Sequence, residues 1–145
     1  MAYAAAFAHA LKPGLLIYLQ GALGAGKTTF ARGLLGGLGY AGKIKSPTYT
    51  LVESYLLSAF TVHHFDLYRF ADPNEWEEAG FHEYFKPDSV CLVEWPQKAH
   101  SILPPADILM MLDICDPGRS LRARALTETG SACLKRYLAR AATDC

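Results

Sequence analysis

An α/β fold, built on a partly parallel sheet with antiparallel hairpin strands and helices on both faces, is predicted by three observations. A continuous apolar run of strand length, Leu15 to Gln20, leads into a glycine-rich turn. The segment after that turn, Lys27 to Leu38, spaces Phe30, Leu34, Leu35 and Leu38 with a helical period. Short β-branched and aromatic runs then alternate with turn and helix signals to the end of the chain. No repeat, low-complexity tract or linker divides the 145 residues, so one domain over residues 1–145 is expected.

The elements follow in order. Ala2 to Leu11 is Ala-rich and predicts a helix stopped by Pro13-Gly14. The Leu15 to Gln20 run has the composition of a strand buried on both faces, and Gly39 provides the stop for the helix that begins at Lys27. Lys43 to Thr50 reads as an extended loop around Ser46-Pro47. Tyr49 to Leu57 and Phe60 to Phe65 form a predicted hairpin across Ser58-Ala59. Asp72 before Pro73 is an N-cap with proline in the first turn, which predicts a short acidic helix from Asn74 to Ala79, ended by Gly80. Val90 to Val93 is a second buried strand. Asp107 to Cys115 is a strand, Asp116-Pro117-Gly118 a turn, Ser120 to Leu126 a returning strand, and Ser131 to Ala142 a closing helix.

Composition narrows the function classes. At 51% hydrophobic and 19% charged residues, the chain can bury a core without disulfides or a structural metal. Cys91, Cys115, Cys133 and Cys145 lack C-x-x-C spacing and read as reduced thiols, so no zinc site is expected. The apolar runs are too short to span a bilayer and no signal sequence opens the chain, which predicts a cytoplasmic protein with no membrane partner. With 14 basic and 14 acidic residues the net charge is zero, which argues against bulk nucleic-acid binding. The charges are nevertheless segregated. Lys12, Lys27, Arg32, Lys43 and Lys45 all precede the first carboxylate, Glu53, whereas the stretch from Asp66 to Glu94 is acidic and that from Arg119 to Arg140 basic. Such blocks form either solvated faces or an anion pocket.

Gly21-Ala22-Leu23-Gly24-Ala25-Gly26-Lys27-Thr28 matches G-x-x-x-x-G-K-[ST] and lies between a predicted strand and a predicted helix, the context that a phosphate-binding P-loop requires. Backbone N–H groups from Gly24 to Thr29 can converge on phosphate oxygens at the positive end of the helix. Lys27 can bridge the β and γ oxygens, and the Thr28 hydroxyl can ligate Mg²⁺. The sheet is therefore expected to be P-loop NTPase-like. An Mg-nucleotide site also needs a carboxylate at the carboxyl end of a strand, and two are available, Asp66 and Glu94. Both reach one crevice if their strands run parallel to the first; otherwise each is a plain strand-end acid. Arg119, after the turn at Gly118, is placed either to reach the nucleotide from the C-terminal hairpin or to stand in solvent. His63 and His64 are adjacent, so on a strand they face opposite sides and cannot form a two-histidine metal pair.

Together with the P-loop, the segments Lys45-Ser46-Pro47-Thr48-Tyr49-Thr50-Leu51-Val52-Glu53, His64-Phe65-Asp66-Leu67-Tyr68-Arg69 and Leu92-Val93-Glu94-Trp95-Pro96 occur in an order that resembles the TsaE (YjeE) family. The resemblance covers nearly the whole chain. It implies a bacterial ATPase, with ATP and Mg²⁺ as cofactors, in threonylcarbamoyladenosine (t6A) modification of tRNA, with TsaB and TsaD as protein partners and tRNA as the pathway substrate. Carried over to this sequence, it makes Lys27 and Thr28 the phosphate and Mg²⁺ contacts and Glu94 the second protein ligand of Mg²⁺. It also places Asp66 near the metal or the attacking water, puts Thr48 and Thr50 in a switch-like loop, and sets Tyr68 and Trp95 at the flanks. From the residues alone, the threonines also suit a strand entry and Trp95 also suits a core. The chain departs from the family pattern at Gln20 and Ala22, and Met1 falls within the family's first helix.

Two other functions remain compatible with a P-loop. A small-molecule kinase would need an arginine-bearing lid, for which only Arg119, Arg122 and Arg124 are available, spaced as on a strand. A nucleotide-dependent adaptor would use ATP only to stabilise a docking surface. No N-K-x-D motif supports a GTPase.

Overall fold

The computed structural model describes residues 2–143 apart from positions 23, 100, 116 and 117. Cys145 and the turn expected at Asp116-Pro117 therefore fall outside the described residues. The elements are α1 (Ala2–Ala8), β1 (Leu16–Gln20), α2 (Lys27–Gly37), β2 (Val52–Leu56), β3 (Thr61–Asp66), α3 (Pro73–Glu78), β4 (Ser89–Glu94), β5 (Ile108–Cys115), β6 (Gly118–Ala125) and α4 (Glu128–Thr143). Short 3₁₀ turns at Phe81–Tyr84 and Pro96–Ala99, which no sequence signal announced, complete them.

One six-stranded sheet has the order β2-β3-β4-β1-β5-β6. Its inner strands β3, β4, β1 and β5 are mutually parallel, and β2 and β6 close the edges as antiparallel hairpin partners of β3 and β5. The predicted mixed α/β sheet is therefore the observed one. Both faces are covered, but unequally. Alternate residues Ile17, Leu19, Val62 and Leu92 pack under α1, α2 and α4, which contribute Phe7, Leu34, Leu35 and Cys133. Leu16, Phe65, Cys91 and Val93 point the other way, under Trp76 of α3, Phe81 and Leu103. β1 and β4 thus bury both of their faces, which is why they read as unbroken apolar runs.

Three boundaries lie three residues from the sequence expectation, each for a specific reason. The strand predicted from Tyr49 begins at Val52, because Leu51 takes a φ of 69° and donates its N–H to the Pro47 carbonyl at 2.9 Å, making a turn of the preceding residues. The last helix begins at Glu128 rather than Ser131. Thr127 caps it, its hydroxyl accepting the Gly130 N–H at 3.0 Å and donating to Asp107 Oδ1 at 2.7 Å. The first helix closes at Ala8, followed by tight turns from Ala10 to Phe7 and from Leu11 to Ala8. The freed Ala10 carbonyl accepts Arg136 Nε at 3.0 Å, which ties α1 to α4. Asp72 caps α3 as predicted, accepting the Asn74 N–H at 3.0 Å.

Adjacent glycines at the end of α2 have opposite surroundings. A Cβ at Gly37 would stand 2.6 Å from the Ala5 backbone of α1, whereas a Cβ at Gly36 meets nothing within 4 Å. Gly37→Ala should therefore destabilise the protein by about 1–3 kcal/mol through overpacking. Gly36→Ala should stabilise it by about 0.5–1 kcal/mol through helix propensity. Urea midpoints of the two variants, read at unchanged m-value, check the opposite signs.

Candidate functional site

The glycine-rich loop leaves β1 and enters α2 through backbone shapes that its glycines permit. Gly26 adopts a φ of 102°, a region costly to any residue with a Cβ. A Cβ at Gly21 would lie 2.5 Å from the Leu112 carbonyl, so glycine alone lets the loop start tight against β5. No side chain caps α2 at its start and no acidic residue occupies its first turn, which leaves the first amides of the helix open toward the loop. At the loop's other side, Arg119 of β6 donates from Nη2 to the Gly24 carbonyl at 3.2 Å, while its side chain stays exposed.

Lys27 folds back over this loop. Its Nζ donates to the carbonyls of Gly21 at 2.5 Å and Ala22 at 3.3 Å and lies 3.8 Å from the centre of the Trp95 ring. Trp95 holds that ring in place from a left-handed backbone conformation, φ 58°, immediately after β4. Tyr68 packs on the same indole with ring centroids 5.0 Å apart.

Because β3 and β4 run parallel and in register, Asp66 and Glu94 end their strands side by side. The condition under which both carboxylates reach one crevice is met. Glu94 is buried, with each carboxylate oxygen 3.4 Å from Thr28 Oγ1 and Oε2 2.5 Å from His64 Nε2. Asp66 accepts the Tyr68 N–H at 3.1 Å. Burial raises the Asp66 carboxyl above its usual range and the charge of Glu94 adds to this, against the Tyr68 N–H, His64 and Lys27. Burial also lowers the Lys27 ammonium, against the pull of Glu94 and Asp66.

Lys27, Thr28, Asp66, Tyr68, Glu94 and Trp95 line a cleft of about 440 Å³ together with Gly24, Ala25, Gly26, Thr29 and Thr48. Thr50 lies elsewhere, donating to Glu53 Oε1 at 3.1 Å. Leu23 lies outside the described residues. Two further neighbours complete the site: Arg69, to which the sequence assigned no role, and His64, which it allowed only to touch the site. Arg69 lines the cleft with its guanidinium 4.9 Å from the Tyr49 ring, and His64 grips Glu94. The signal for His64 was its i, i+2 spacing to Asp66, which puts both on one face of a strand.

Thr28 Oγ1, Glu94 and Asp66 form a set of hard oxygen donors of the kind that suits Mg²⁺. Among the described residues no three His, Cys, Asp or Glu side chains converge as a self-sufficient metal cage. The set therefore fits a metal whose remaining positions are filled by water and phosphate oxygens.

The family model described as threonylcarbamoyl adenosine biosynthesis protein TsaE matches residues 1–122. The chain belongs to the TsaE family. It is 52% identical over 116 residues to a tRNA threonylcarbamoyladenosine biosynthesis protein TsaE of Haemophilus influenzae, a match that covers 80% of this chain and 73% of the relative. It is 45% identical over 100 residues to a protein of the same description from Bacillus subtilis, covering 69% of this chain and 60% of that one. The crystal structure of Bacillus subtilis YdiB superposes with a TM-score of 0.77 at 30% identity, over 94% of this chain and 85% of that one. The TsaE match takes in every cleft residue named above and Arg119, and it ends before α4. Among the described residues no helix is long and apolar enough to cross a membrane.

The raised Asp66 pKa has a consequence for stability. The folded state holds this proton more tightly than the unfolded chain, so Asp66 costs stability once pH has risen through its folded pKa, and costs nothing below the unfolded value. Asp66→Asn, which keeps the acceptor for the Tyr68 N–H, should therefore raise the melting temperature at neutral pH. The gain should vanish below about pH 4, where the unfolded carboxyl is also protonated. Thermal unfolding of both proteins across pH checks this.

Proposed function

We propose that this protein is an Mg²⁺-dependent ATP-binding and ATP-hydrolysing component of the machinery that makes threonylcarbamoyladenosine on tRNA, acting in the cytoplasm with TsaB and TsaD. The observation that carries the reading is the convergence of Lys27 and Thr28, at the start of α2, with two buried carboxylates from neighbouring parallel strand ends in one cleft. The tRNA pathway comes from membership of the TsaE family.

The chemistry assigned to each residue follows from its surroundings. The open amides of the P-loop and the first turn of α2 bind phosphate oxygens. Lys27, released from the Gly21 and Ala22 carbonyls, bridges the β and γ oxygens and stabilises the charge that develops as the bond to the leaving ADP breaks. Thr28 and Glu94 would hold Mg²⁺, which when bound neutralises phosphate charge. Asp66 accepts a hydrogen bond from the attacking water, and its raised pKa makes it a stronger acceptor than a solvated carboxylate. Thr48 faces the cleft from a loop that can order around the γ-phosphate. Arg119 holds the P-loop backbone at Gly24.

Phosphate release from Mg·ATP, by the protein alone and with TsaB and TsaD, tests the proposal. Slow release alone, stimulation by the partners and a loss of about 100-fold or more in Lys27→Ala are expected. Release indifferent to the partners would favour a kinase-type or solitary ATPase, and tight ATP binding without release would favour an adaptor.

A further inference from the structure

His64 occupies a position where an apolar residue would serve packing better. It stands on β3 between Val62 and Asp66 on the face toward α2, 1% exposed, with Val62 in the core beside it. Its Nε2 lies 2.5 Å from Glu94 Oε2. Its Nδ1 is buried and has no hydrogen-bond partner among the described residues. An N–H at Nδ1 would be a buried donor with no acceptor, so the arrangement fits the tautomer that carries its proton on Nε2 and donates it to Glu94. Burying a polar ring with one nitrogen unpaired costs stability, and such an exception calls for a function.

The geometry points to His64 as the positioning residue for Glu94. The terminal torsion of a glutamate is broad and leaves its carboxylate free to rotate. A hydrogen bond from a buried side chain on the face toward α2 holds one oxygen and so restricts the plane of the carboxylate opposite Thr28 Oγ1. Mg²⁺ demands near-ideal octahedral geometry, so restricting the carboxylate in advance favours metal capture. The strand register makes this possible: β3 pairs with β4 so that His64 lies opposite Leu92, one step below Glu94 on the same face. The inference rests on the Mg·nucleotide reading of the cleft.

Calorimetric titration of ADP, with EDTA and then with Mg²⁺, separates a positioning role from a merely structural one. In the unaltered protein Mg²⁺ should tighten ADP binding. His64→Leu should lose about 10-fold or more of that tightening while its affinity in EDTA stays within about twofold. His64→Gln, which returns a donor near the position of Nε2, should restore most of it. Tightening retained in His64→Leu, or lost in equal proportion from the EDTA affinity, overturns the inference. Glu94→Gln distinguishes the two levels. If it abolishes the tightening while His64→Leu does not, the role of His64 falls alone; if Mg²⁺ does not tighten ADP in the unaltered protein, the metal reading falls and takes the inference with it. Should His64→Leu fail to fold, the Nε2–H proton resonance of His64 in the unaltered protein decides: it should move when Mg²⁺ is added to the ADP complex, and a resonance that stays in place overturns the proposal.

Discussion

Two carboxylates removed from water at the ends of adjacent strands are the constraint around which the rest of this site is organised. Asp66 and Glu94 are register partners, and the charge of Glu94 adds to the cost of charging Asp66. A buried charge persists only with compensation, and the compensation comes from every side: Lys27, the Thr28 hydroxyl, the His64 ring and the Tyr68 N–H. Lys27 is itself buried and cannot be compensated by the carboxylates alone, so it also takes the carbonyls of Gly21 and Ala22 and the Trp95 face. A phosphate entering the loop would meet a lysine already aimed across its mouth, and would exchange those carbonyl contacts for stronger, charge-assisted ones.

The same carboxylates require β3 to present the right face. Phe65, between His64 and Asp66, provides this. Its ring stacks on Phe85 with centroids 5.4 Å apart and meets Trp76 and Phe81 on the face opposite α2. A one-residue slip of β3 would bring a large aromatic into the charged cleft and two polar residues into an aromatic cluster, so the packing under α3 locks the phase of the strand. The short acidic helix thus acts at a distance on the cleft, by carrying the fully buried Trp76.

The loop from Lys45 to Glu53 is held differently. Tyr55, buried on β2, donates its hydroxyl to the Lys45 carbonyl at 3.0 Å and accepts the Lys45 N–H at 3.1 Å, while Glu53 holds Thr50 at the other end. Between these anchors Thr48 faces the cleft and Tyr49 is 81% exposed, touched by Arg69.

Whatever depends on neighbours along the chain is legible in the residues alone. The glycine-rich loop, the α3 cap at Asp72, the buried strands β1 and β4 and the antiparallel hairpins are encoded in contiguous residues, through glycine conformations, capping chemistry and apolar periodicity. Asp66 and Glu94 were legible as strand ends, and the ordered motifs pointed to the TsaE family. Where the chain meets itself from afar, local signals did not suffice. Thr127 moved the start of α4 by bonding to Asp107, and the closeness of α1 to Gly37 had no sign in an Ala-rich helix. Above all, it took the folded sheet to set Asp66 beside Glu94, His64 against Glu94 and Lys27 over Trp95. These contacts are set by strand order and register, which long-range packing selects and no short stretch of sequence contains.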